Sequence, residues 1–377
     1  MRGYNLLNGK IVFKISPHPV FLPEEEGTHS PRGRRNSLFK LTGHQCSAMK
    51  IHHHIFLLLV LFALSACAAV GESAWQLVET DGALEKRHEA AFVLFQDKFY
   101  VMGGRGAKSV NVLDPKTRRW STQSKPPLEI HHFQPVVYQD KIYILGAMSG
   151  KFPREIPVAN IIIYDPIKDV WETGPEIPKE RRRGAAGVVL YKGKFYMVAG
   201  IRFGHMGGYV NWLDEFDPAT GRWKVLADAP HKRDHFQAVV IKDKIYAAGG
   251  RTTSKETKQV FHLVVPQVDV YDFVTGVWQS LPSPALDLPT PRAGTSSLLI
   301  HNKLAVIGGE TKRKSPAHNE VEVFDPKSQA WSAWPGLVRG RHGTGAAIYD
   351  GFIWTCCGSG NRGGGPELLS TERFKLD

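Results

Sequence analysis

The chain has 377 residues, 48 Lys+Arg against 36 Asp+Glu, and four cysteines. A net charge of +12 favours anionic partners, but the basic residues form no nucleic-acid motif, so a nucleic-acid partner is not expected. Four cysteines in this length exclude a fold built on disulfides.

Residues 1–48 carry Glu24–Glu26, a basic Arg32, Arg34, Arg35 cluster and no clear periodicity, and read as an extension outside the fold. Residues 49–66 run from Met49-Lys50 through an apolar stretch, Ile55–Leu64, to Ser65-Ala66-Cys67. A short basic start, about ten apolar residues and a small-residue cleavage site describe a secretory signal, too short for a spanning helix. Met49 is then the expected start of the precursor. Leu64-Ser65-Ala66-Cys67 resembles the lipobox of bacterial lipoproteins, which implies lipidation of Cys67 and an outer-membrane location. Ala66-Cys67-Ala68 also fits ordinary cleavage of a soluble periplasmic or extracellular product. His52-His53-His54 falls in this processed segment and is not read as a metal site. Removing the 8 basic and 3 acidic residues of 1–66 leaves +7 for the rest, which begins with a linker over 67–74.

From residue 75 the chain repeats. Trp120, Trp171, Trp223, Trp278 and Trp331 are spaced by 51, 52, 55 and 53 residues, the mark of a repeat architecture. Each follows a strand-ending turn such as Leu113-Asp114-Pro115 or Phe324-Asp325-Pro326. Upstream of each turn a short apolar strand closes on small residues: Gly103-Gly104, Gly146-Ala147, Ala199-Gly200, Gly249-Gly250 and Gly308-Gly309. In the unit from His235 to Trp278, strands are expected over Phe236–Ile241, Lys244–Gly250, Val268–Asp272 and Trp278–Leu281, from β-branched and aromatic runs separated by turn residues. A sixth unit from Arg341 has three strands, ending at Cys356-Cys357-Gly358 and Glu372–Leu376, and no Trp strand. An unmatched Trp strand, Trp75–Val78, stands at the other end.

The Gly doublet, the Tyr-Asp-Pro-like strand end and the following Trp resemble the kelch repeat, over Trp75 to Asp377. The resemblance implies an all-β, six-bladed propeller with four antiparallel strands per blade. The N-terminal strand is expected to complete the last blade, which removes an open edge. The repeated Trp and Tyr residues are expected to pack between blades. Cys356 and Cys357 are expected to stay free and buried, since neighbours in a strand point to opposite faces.

Chemistry is expected on the face of the long loops, 148–159, 201–214, 251–267, 310–319 and 359–369. Residues entering each innermost strand share that face: Arg87, His88, His131, His132, Arg182, Arg183, Arg233, His235, Arg292, Arg341 and His342. As a ring of guanidinium and imidazole groups they would suit a carboxylate or sulfate. The alternative is that they satisfy neighbouring loop carbonyls. The 201–214 loop adds Arg202, Phe203, His205 and Trp212, aromatic faces beside polar groups that suit a sugar ring. The run Phe261–Val265 suggests an added strand or a partner contact. Glu89, Asp234 and Glu310 are the acids near this face; none has a spacing that fixes an acid–base pair. No cofactor motif and no metal-ligand spacing stands out, so neither group is expected.

These residues favour an exported, lipid-anchored, monomeric module that binds a protein partner or an anionic ligand on the long-loop face without catalysis. The alternative is a carbohydrate-active enzyme on an acidic glycan, similar in class to the sialic-acid mutarotases. There Arg202 and Arg341 would hold the carboxylate, and His205 and His235 would move protons.

Overall fold

β-Branched and aromatic runs alternate with tight turns, and each such unit folds into a twisted antiparallel sheet. The structure, a computed structural model, describes residues 74–376. The extension 1–48, the leader 49–66 with His52–His54, and Cys67 lie outside the described residues. Six sheets follow one another as blades. Their innermost strands are Ala90–Phe95, Pro135–Tyr138, Gly187–Tyr191, Ala238–Ile241, Ser296–Ile300 and Ala346–Tyr349. In blades one to five the remaining strands follow in chain order towards the rim.

Blade six closes as the sequence predicts. Gln76–Val78 pairs antiparallel with Thr371–Lys375, Gln76 opposite Arg373. The Trp75 and Phe374 rings sit 5.7 Å apart. The rim of blade one departs from the four-strand plan. After leaving blade six the chain adds Asp81–Gly82 as a short parallel strand beside Arg119 and Trp120. Gly82 has φ +94, and a Cβ there would collide with the Trp120 carbonyl oxygen, so this crossing requires glycine.

The core is six apolar clusters, one at each junction between neighbouring blades. Each repeat Trp packs into the cluster its blade shares with the blade before: Trp120 with blade six, Trp171 with blade one, and so on round to Trp75 with blade five. Several indoles also donate backwards, Trp223 to the Glu176 carbonyl at 3.2 Å, Trp278 to Ala227 at 2.9 Å and Trp331 to Leu286 at 3.1 Å. The tryptophans therefore set blade spacing by packing and by polar register.

Cys356 and Cys357 are free and fully buried. They do not point to opposite faces. Cys357 occupies the first Gly-doublet position with φ +61, which turns its side chain back until the two sulfurs are 3.5 Å apart.

Candidate functional site

Three residues enter each innermost strand, and each has a different task. The first is Arg87, Arg183, Arg233, Arg292 and Arg341 in five blades. All five are at most 2% exposed, so they are not a ring at the channel mouth. Each guanidinium turns into its own blade and donates to the carbonyl of the small-residue doublet: Gly103 at 3.0 Å, Ala199, Gly249 at 2.8 Å, Gly308 and Cys357 at 3.0 Å. Each also meets a polar side chain of the third strand, Asn111, Asp214, Asp269, Glu322 and Glu372 respectively. Burial lowers Arg87, Arg183, Arg233 and Arg292, Arg183 to about 10, and leaves them cationic at neutral pH. The anion-binding reading of these five positions is therefore corrected: they satisfy carbonyls and bind the blade together. Blade two confirms the pairing by lacking both members, with buried Ile130 and Ile162 in the two places.

The third residue of each set forms a collar around the axis. These are Glu89, His132, Ala185, His235, Gly294 and Gly343, with φ from +50 to +65. Backbone N–H groups run round them from blade to blade: His132 to the Glu89 carbonyl at 3.0 Å, Ala185 to His132 at 2.9 Å, His235 to Ala185 at 2.9 Å, Gly294 to His235 at 2.6 Å and Gly343 to Gly294 at 3.1 Å. Ala90 donates to Gly343 at 3.1 Å and closes the circle. The left-handed backbone suits glycine, and blades five and six use it. Glu89, His132 and His235 hold bulky polar side chains there at a conformational cost of roughly 1 kcal/mol each.

Glu89, with His205, also lines a basin on the long-loop face. It holds about 370 Å³ and is walled by Phe152, Phe261, Arg105, Arg251, His88 and Glu310. Below it the axial throat, lined by Glu89, His132 and His235, narrows to about 40 Å³. That is room for about three waters, so a ligand of sugar or side-chain size stops in the basin. Arg105 is paired with Glu155 at 2.6 Å, and Arg251 with Glu310 at 2.5 Å. Burial would raise Glu310, but His342 and Arg251 outweigh it and hold the carboxyl at about 2. The basin is thus polar and internally charge-paired, with two aromatic walls, rather than a cationic pocket.

The remaining candidates divide. His88 lines the basin and bonds Glu367 at 2.7 Å. His131 lies behind His132, and His342 Nε2 is taken by the Asn361 and Gly363 carbonyls at 2.8 and 3.0 Å. His205 and His235 do come together, with ring centroids 4.9 Å apart. Arg341 is sealed inside blade six, and Arg202 stacks over Phe203 and Trp212 at 5.1 and 5.2 Å. Trp212 is itself covered by Arg181 at 4.1 Å. The four catalytic candidates therefore do not assemble into one site. Phe261–Val265 forms no added strand; it contributes a single bridge at Val264 and places Phe261 against Arg251 and Arg362.

One residue escaped sequence reasoning. Glu155, in the long loop of blade two, is 2% exposed and grips both the His205 ring at 2.9 Å and its backbone N–H at 3.1 Å. Likewise, the expectation of no metal-ligand set rested on spacing along the chain. Folding brings His132, His205 and His235 together from three blades, each with a ligand atom within 4.8 Å of the others, and does the same for Glu89, Glu310 and His342.

Comparison with known proteins agrees with the architecture. Kelch-like protein terF of Aspergillus terreus is 25% identical over 292 residues, 73% of this chain and 62% of terF. Beta-scruin of Limulus polyphemus is 27% identical over 229 residues, 58% of this chain and 24% of the scruin. Kelch-like protein 35 of Mus musculus is 23% identical over 254 residues, covering 67% and 40%. The matches thus span less than two thirds of the length of these relatives. The structure of YjhT superposes with a TM-score of 0.63 at 15% identity, over 77% of this chain and 95% of that one, a likeness of fold. A Kelch motif model matches residues 291–335, and the attractin/LZTR1 beta-propeller family model matches residues 67–311. With that match covering well over half its length, the chain belongs to the attractin/LZTR1 β-propeller family of kelch proteins.

Proposed function

We propose that this chain is an exported, lipid-anchored kelch module that binds its partner through the basin at the long-loop mouth. The observation that carries the binding reading is the asymmetry of the collar. Three of six equivalent positions keep large polar side chains where the backbone favours glycine, and all three face the basin floor or the throat below it. Kelch propellers generally engage protein partners, and a basin of about 370 Å³ with Phe152 and Phe261 as walls suits one inserted side chain or a small polar ligand. Export and lipidation rest on the leader 49–66 and Cys67.

Two measurements test this. Expressed in a bacterial host, the chain should incorporate a labelled fatty acid, and Cys67→Ala should not; an unlabelled wild type would end the anchored reading. A panel of peptides and acidic glycans should yield a ligand whose affinity falls at least about tenfold in Phe261→Ala and in Phe152→Ala. A ligand indifferent to both substitutions binds elsewhere and removes the basin from the proposal.

A further inference from the structure

The hydrogen bonds around the three histidines fix their tautomers. His205 Nδ1 faces Glu155 Oε1 at 2.9 Å, and His235 Nδ1 faces Asp234 Oδ1. Ionised carboxylates only accept, so both rings carry a proton on Nδ1, and the neutral rings leave a lone pair on Nε2. His131 Nε2 faces the Gly150 carbonyl at 3.1 Å, so a neutral His131 is protonated there and accepts at Nδ1. His132 Nδ1, 2.6 Å from His131 Nδ1, is then the donor, and its Nε2 is also a lone pair.

Three Nε2 lone pairs thus belong to three rings whose centroids are 4.9 to 5.3 Å apart. His132 Nε2 and His235 Nε2 are buried with no hydrogen-bond partner, on residues only 6% and 5% exposed. Another acceptor, Glu89 Oε2, stands 3.3 Å from His132 Nε2 without hydrogen-bond geometry. Three nitrogen acceptors and a carboxylate share this space, below a basin wall whose Arg105 and Arg251 are paired with Glu155 and Glu310. Such an arrangement asks for a cation.

We infer that His132, His205 and His235 form a binding site for one divalent first-row transition-metal ion, with Glu89 beside it and the basin above. The donor set fits the class: neutral imidazoles suit zinc, copper, iron and nickel, and each ring is oriented by a further group behind it, Glu155, Asp234 or His131. Tetrahedral zinc at 2.0–2.1 Å needs nitrogens about 3.4 Å apart, so ligand atoms within 4.8 Å close on an ion with small ring movements. His205 lines the basin floor, so the ion keeps a side open to a water or to an oxygen donor of a bound ligand. The second cluster is weaker. Its His342 Nδ1 is also without a hydrogen-bond partner, but both Glu310 oxygens are occupied, by Arg251 and by the Gly363 N–H.

The repeat supplies the variants for a test. Glycine occupies the same collar position in blades five and six, so His132→Gly and His235→Gly are expected to leave the apo melting temperature within a few degrees of wild type. The full chain, stripped with chelator, is titrated with Zn²⁺ and with Co²⁺. Expected are one ion per site, a rise in melting temperature with Zn²⁺, and visible Co²⁺ bands of a tetrahedral centre. Each glycine variant should weaken binding by at least about 100-fold, more than loss of a supporting group does. A triple His52→Ala, His53→Ala, His54→Ala variant should bind as wild type does. No binding at micromolar metal, binding kept in both glycine variants, or binding lost with His52–His54 would each overturn the site.

Discussion

Arg87, Arg183, Arg233, Arg292 and Arg341 show how a residue near a channel mouth can belong to the scaffold. Each is buried against an acid or amide of its own blade, and blade two replaces both partners by isoleucine. Removing one member of such a pair leaves a buried charge or several carbonyls without a partner. Arg292→Ile is expected to cost about 3–5 kcal/mol, measured by urea unfolding. Adding Glu322→Ile, which copies blade two, should recover about half of that; a double variant no better than the single would refute the pairing. Arg341→Ala is for the same reason a stability variant, not a probe of the basin. The sequence contained this information. Arg and acid recur together, and Ile130 and Ile162 depart together, a covariation inside one chain. Reading the arginines alone concealed it, because a linear pattern does not reveal whether a side chain turns to the axis or into the blade. The histidines were legible singly as mouth residues. Their convergence was not, because His205 comes from a loop whose path is set by Glu155, a contact between two blades with no signature in spacing.

At the scale of elements, the repeat Trp strands were read correctly because aromatic burial needs only periodicity. Their backward hydrogen bonds add direction: blades three, four and five are each pinned to the one before. Trp278→Ala should therefore lower stability by about 3 kcal/mol. Trp278→Phe keeps most of the packing and should cost about 1 kcal/mol, the indole N–H to Ala227 carbonyl bond alone. Equal losses in the two variants would mean that packing contributes little. The Cys356–Cys357 pair shows the limit of strand rules. The alternation of faces fails once Cys357 takes the left-handed conformation of the glycine it replaces.

Across the whole molecule, closure depends on three paired residues, Gln76–Val78, and on the Trp75 ring against Phe374. Deleting 75–78 uncovers the edge of Thr371–Lys375, and the melting temperature should fall by several degrees with a tendency to self-associate. A synthetic peptide of residues 74–82 should restore it, and a deletion that melts like wild type would disprove the clasp. Six-fold closure was legible because five whole repeats, one missing strand and one surplus strand leave a single arrangement. The collar has a further consequence. Its carbonyl groups accept from blade to blade, and its six positions share a left-handed backbone, with space for a Cβ limited by His342 at Gly294 and by Glu89 at Gly343. New chemistry at the axis can therefore arise by exchanging single residues at these addresses, where the neighbouring His342 and Glu89 give way. Half of those addresses, Ala185, Gly294 and Gly343, still stand blank.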